Sequence, residues 1–144
     1  MLISGEWFPC DDGIVRPVIR GEVLAGDGSW KPALLLVDTG ADRTVFSAGI
    51  LAATHFRPSA SDHRLAGLGG VADSVLFETS VRLTREGAGK VVFHGQYAGV
   101  TDPQALDMSV LGRDISGSST VIVERPGDVV CLVGQRHHYT IERS

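Results

Sequence analysis

Leu34-Leu35-Leu36-Val37-Asp38-Thr39-Gly40-Ala41-Asp42 is the stretch on which this chain turns. Four apolar residues run directly into a carboxylate. An ionised group at the end of a buried strand needs hydrogen bonds, a partner charge or a shared proton. The two residues that follow supply the means. The Thr39 hydroxyl can donate and accept, and Gly40 allows a tight turn and close backbone approach. The continuous run from Leu34 to Val37 predicts a strand covered on both faces.

Working outward, Ile14 to Leu24 is β-rich and Ala25-Gly26-Asp27-Gly28-Ser29 is a turn. Trp30 to Val37 returns, so a hairpin delivers Asp38. Pro17 cannot donate to a ladder and predicts a sheet edge at that end. Thr44-Val45-Phe46 is extended. Ser47 predicts the N-cap of a short helix through Ile50, Leu51 and Thr54. His63 to Ala72 reads as a hairpin whose tip holds Gly67-Leu68-Gly69-Gly70. Ser74 to Leu83, Val91 to His94 and Tyr97 to Thr101 read as three further strands. Gly112-Arg113-Asp114 opens a turn or one short helix. Thr120 to Glu124 and Val129 to Val133 flank Arg125-Pro126-Gly127-Asp128, a hairpin with clear turn chemistry. Residues 1–13 read as a lead-in, 14–133 as one domain and 134–144 as a polar tail. Val37, Val45, Leu65, Val71 and Leu111 are candidate core or pocket residues, core being the simpler reading.

The bulk numbers narrow the classes. The chain has 144 residues, 43% hydrophobic and 21% charged, which suits one folded domain. A net charge of −4 with scattered bases gives no nucleic-acid footprint. No apolar run reaches the roughly 20 residues of a membrane helix. The opening segment lacks a basic region and a long apolar core, which argues against a signal peptide. Cys10 and Cys131 have no metal spacing and read as two reduced thiols of a cytoplasmic protein, a disulfide between them being the alternative. His55, His63 and His94 are isolated. His137-His138 would point to opposite faces of a strand, so no metal site is expected. There is no Gly-x-Ser-x-Gly and no P-loop, and no cofactor is implied.

Three segments taken together carry a resemblance. Asp38-Thr39-Gly40-Ala41-Asp42 with Thr44-Val45 resembles the active-site loop of retroviral-type (retropepsin-like) aspartic proteases. Gly67-Leu68-Gly69-Gly70 lies where that family keeps its flap tip, and Val110-Leu111-Gly112-Arg113-Asp114 resembles its second signature. The resemblance spans roughly residues 15–133. It implies an all-β, closed barrel-like fold with one or two short helices and a flap hairpin. It also implies catalysis by Asp38, with Thr39 and Gly40 beside it. Substrate backbone would be bound by Gly40, Ala41 and Asp42 and by the flap residues Gly67, Leu68, Gly69 and Gly70. Arg113 would brace Asp42, and Asp114 would act as a local cap.

Aspartic-protease chemistry needs two carboxyls, and this chain holds one Asp-Thr-Gly. The resemblance therefore implies a homodimer acting on a peptide or protein substrate, with Asp38 of each subunit at a two-fold axis. Its alternative is a peptide-binding module on the same fold with weak or no proteolysis. The extra length over a minimal viral enzyme lies in the first 13 residues, the loop before the flap and the tail.

Overall fold

The computed structural model describes residues 1–55, 62–67, 70–87 and 89–134. For residues 62–67 and 70–73 it gives the backbone alone. Among the described residues, eleven strands and two short helices follow in this order: β1 (Leu2–Ser4), β2 (Glu6–Pro9), β3 (Val15–Leu24), β4 (Trp30–Val37), β5 (Val45–Phe46), α1 (Ala48–Thr54), β6 (Asp62–Gly67), β7 (Gly70–Thr84), β8 (Lys90–Val100), β9 (Ser109–Leu111), α2 (Arg113–Ser116), β10 (Thr120–Glu124) and β11 (Val129–Val133).

The larger sheet runs β2-β3-β4-β9-β5-β8-β7-β6, and β3 also pairs with β7. That last pairing, Gly21↔Leu83 to Val23↔Val81, closes β3, β4, β9, β5, β8 and β7 into a six-strand barrel. Closure removes the two free edges that an open sheet would expose. Gly21 sits at the seam, where an added Cβ would come within 2.8 Å of the Leu83 side chain. The barrel is filled by Val23, Leu35, Phe46, Phe77, Val81, Leu83, Tyr97 and Leu111, all buried. Phe46 is its aromatic centre, 5.6 Å from Phe77 and 5.9 Å from Tyr97 between ring centroids. Burial raises the Tyr97 hydroxyl pKa to about 12, and that hydroxyl donates to the Phe93 carbonyl at 2.8 Å.

The expected hairpin of β3 and β4 is present, with Val18↔Leu36 to Leu24↔Trp30 in register. Pro17 has a strand on one side only, as its missing N–H requires: it stands opposite Trp7 of β2, and the ladder to β4 begins one residue later at Val18. Two expectations need correction. The β4 strand is covered on one face only: Ala33, Leu35 and Val37 are buried, whereas Leu34 and Leu36 are half-buried. The segment 90–100 is one strand, β8, rather than two, because Gly95 and Gln96 stay in register with Thr79 and Glu78.

The first residues are part of the fold. The β1 strand pairs with β11, Leu2↔Val133 to Ser4↔Cys131, in a second sheet of order β1-β11-β10. Val37 and Leu111 are core; Val45 is half-buried; the side chains of Leu65 and Val71, like the tail from residue 135, lie outside the described residues. Cys10 and Cys131 are both free thiols, and burial pushes the Cys131 thiol pKa up. His94 lies across β7 and β8, its Nδ1 2.8 Å from Ser80 Oγ and its Nε2 3.1 Å from Glu78.

A charge network fastens the outside of the barrel seam. Arg82 donates to both oxygens of Glu22 at 3.0 and 2.9 Å, and Lys90 donates to one of them at 3.0 Å. The Arg82 guanidinium also lies 4.2 Å from the Trp30 ring centroid. The Arg82 fork and then Lys90 hold the Glu22 carboxyl at about 2, below its ordinary 4.5. A lowered folded pKa gives stability that is present above pH 4.5 and lost as pH falls toward 2. Glu22→Gln should therefore cost about 1 kcal/mol or less at pH 7. Its thermal midpoint should fall less steeply than wild type between pH 4.5 and 2; parallel curves would remove the network from the acid response.

Candidate active site

Asp38 follows the last residue of β4 and is half-buried. Its N–H donates to the Leu111 carbonyl at 3.3 Å, so the parallel β4–β9 ladder extends past Val37↔Leu111. Strand alternation then carries the Asp38 carboxylate to the side of β4 shared by Leu34 and Leu36. Its Oδ1 accepts the Gly40 N–H at 2.9 Å, and the Ala41 N–H donates to the Asp38 carbonyl at 3.2 Å. A Cβ on Gly40 would lie 3.2 Å from Asp38 Oδ1, which is why glycine fits a residue this close to the carboxylate. Thr39 and Gly40 are exposed at the tip of this turn.

The turn is tied to a second loop more than 70 residues later. The N–H groups of Arg113 and Asp114 donate to the carbonyls of Ala41 and Asp42 at 2.9 and 3.3 Å. The Arg113 side chain spans the same loop: Nη1 donates to the Thr39 carbonyl at 2.8 Å and Nη2 pairs with the Asp42 carboxylate. One planar fork thus holds two points of the turn.

Asp114 works differently from the local cap expected for it. The N-cap of α2 is Gly112, with no side-chain cap bond. The Asp114 carboxylate instead accepts the Thr44 N–H through both oxygens at 2.9 Å and the Thr44 hydroxyl at 2.7 Å. Thr44 is fully buried, and its Oγ1 accepts the Gly112 N–H at 3.1 Å. Gly112 lies against the Arg43–Thr44 peptide so closely that a Cβ would come 2.3 Å from the Arg43 carbonyl carbon. Thr44 was part of the quoted motif, but its role as a pivot was not read from it. An uncharged polar residue directly before the apolar Val45-Phe46 is the available signal. A second polar link joins Ser47 to Ser109, whose Oγ accepts the Ser47 N–H at 2.9 Å. Ser47 does stand at the N-cap position of α1, yet its side chain makes no cap bond.

The glycine-rich segment is a hairpin. Strands β6 and β7 pair from Asp62↔Val75 to Gly67↔Gly70; Leu68 and Gly69 lie outside the described residues. Beside β4 lies a cavity of about 800 Å³, lined by the outward Leu34 and Leu36. Asp38 does not line it, although it continues the same row. Among the described residues no three His, Cys, Asp or Glu side chains gather as a metal site. None of the helices there is long and apolar enough to cross a membrane.

The barrel and its strapped Asp-Thr-Gly turn define a class of protein. Residues 20–115 match the family model described as aspartyl protease, and the chain belongs to that family. Its structure is similar to a retropepsin-like aspartic protease from Rickettsia conorii, with a TM-score of 0.57 and 16% identity over 92% of this chain and 88% of that one. It also resembles the EIAV protease complexed with the inhibitor HBY-793, with a TM-score of 0.47 and 24% identity over 71% of this chain and 86% of that one. The Rickettsia likeness shows the retropepsin-like fold. No curated protein matches the sequence.

Thr44→Val keeps the shape of the pivot and removes its hydroxyl. The buried Gly112 N–H then has no acceptor, at a cost of about 1–3 kcal/mol. Chemical denaturation should show that loss, whereas Thr44→Ser should recover most of it. An unchanged midpoint in Thr44→Val would mean that the hydroxyl does not hold the two loops together.

Proposed function

We propose that this protein is an aspartic endopeptidase that works as a homodimer, with Asp38 of each subunit forming one catalytic pair. The observation that carries the reading is the half-buried Asp38 carboxylate, held by the Gly40 N–H at 2.9 Å on a turn strapped to residues 111–114. Membership of the aspartyl protease family supports it. Two carboxyls that close share one proton, because both cannot ionise together. The ionised member takes a proton from water, and the oxygen of that water bonds to the amide carbon. The protonated member gives its proton to the amide oxygen. Collapse of the resulting diol breaks the C–N bond, and the leaving nitrogen takes a proton. No covalent bond to the protein forms.

The remaining residues take supporting roles in this reading. Thr39 steadies the pair across the two-fold axis. Gly40, Ala41 and Asp42 present backbone and carboxylate to an extended substrate, and Arg113 and Asp114 keep that loop rigid. The β6–β7 hairpin, with Gly67, Leu68, Gly69 and Gly70 at its tip, closes over the substrate and excludes water. The peptide then lies as an added strand between hairpin and floor. Two free thiols fit a reducing compartment such as the cytoplasm.

Light scattering across a dilution series should report a dimer. Wild type should cleave members of a peptide library, best at mildly acidic pH where the pair holds one proton. Asp38→Asn should lower the rate by at least roughly 10³-fold while leaving the dimer and thermal midpoint unchanged. Undiminished cleavage by Asp38→Asn would overturn the reading. A monomer at every concentration would transfer it to a peptide-binding module, since one Asp38 alone makes no pair.

A further inference from the structure

The cavity beside β4 has two chemically distinct parts. Its floor is apolar, built by Leu34 and Leu36 of β4 and by Met108 just before β9. Its rim is charged: Asp11 and Asp12 come from the β2–β3 connection, Arg16 from β3 and Asp107 from the β8–β9 connection. A volume of about 800 Å³ is ample for a side chain of Leu, Met or Phe size together with its neighbour.

The rim charges do not cancel. Arg16 donates to both oxygens of Asp12 at 3.0 and 2.7 Å, and this fork holds the Asp12 carboxyl down at about 2. Asp12 is thus ionised and already matched. Asp11 and Asp107 are exposed, and among the described residues neither has an ion-pair partner. Two uncompensated carboxylates therefore line the same cavity as Leu34 and Leu36, which belong to the row of β4 that ends at Asp38.

We propose that this cavity selects peptides in which a large apolar side chain stands two residues from a lysine or arginine, the spacing that puts both on one face of an extended peptide. The apolar side chain rests on Leu34, Leu36 and Met108, and the cation meets Asp11 and Asp107. An acidic residue at that spacing is repelled by the same rim, so the device both attracts and excludes. This assignment of substrate class rests on the endopeptidase reading, since it takes the occupant to be the peptide that crosses Asp38.

The test has a binding arm and a cleavage arm. In the first, Asp38→Asn protein is titrated into two fluorescein-labelled hexapeptides that carry Lys or norleucine two residues from the same Leu. The Lys peptide should bind about tenfold tighter, or about 1.4 kcal/mol. That ratio should fall to about one when Asp11→Asn and Asp107→Asn are added, and it should shrink in high salt. Asp107→Lys should reverse it in favour of a Glu peptide. Circular dichroism melts confirm that each variant is folded. In the second arm, wild-type cleavage sites in a peptide library should be enriched in Lys or Arg two residues from Leu, Met or Phe. Cleavage without that enrichment, or a ratio unchanged in the double variant, overturns the cavity assignment and leaves the endopeptidase standing. A Lys preference in binding with no cleavage by wild type overturns the endopeptidase and leaves the cavity. Failure of both peptides to bind overturns the assignment.

Discussion

Everything near Asp38 depends on one buried polar junction. Thr44, with no solvent access, gives its N–H and its hydroxyl to Asp114 and takes the Gly112 N–H in return. A buried hydroxyl and amide are costly unless satisfied. Here each is satisfied only when the loops at 38–44 and 111–114 lie together. The junction therefore acts as an all-or-none fastening. It brings a residue that follows a barrel strand beside a short helix from much later in the chain. Arg113 then adds a second, exposed clasp onto Thr39 and Asp42. The exposed clasp sets the geometry at the turn, and the buried junction supplies the rigidity.

That division shapes what the site can do. Asp38 is held by backbone partners: its own N–H on Leu111 and the Gly40 N–H on its carboxylate. The residue stays half-buried, on the row of Leu34 and Leu36 rather than in the barrel core. A strand covered on both faces, as its apolar run suggested, would have buried that row as well.

Much of this was legible in the sequence because the signals were local. Asp38-Thr39-Gly40 marked the turn, Arg125-Pro126-Gly127-Asp128 marked the β10–β11 hairpin, and Ser47 marked the start of α1. What was missed lay in long-range pairing and in very short pieces. Strands of three and four residues, such as β1 and β2, carry too few residues for alternation to show. The pairing of Gly21 with Leu83 that closes the barrel leaves no mark within either segment. The partner of Asp114 is 70 residues away, so a local reading assigned it to its own helix. Outward leucines on β4 read as core because a pocket floor and a core have the same composition.

The first strand has a consequence for how the chain is made. Residues 2–4 find their partners at 131–133, and the Gly134 N–H donates to the Met1 carbonyl at 2.9 Å. On the ribosome, β1 emerges about 130 residues before its partner strand and has nothing to pair with until residues 131–133 follow. At ordinary rates of synthesis that interval is on the order of ten seconds. During it Leu2 and Ile3 form an apolar, unpaired strand end, the kind of segment that recruits other chains. Assembly of the small sheet thereby waits for the whole barrel to be made.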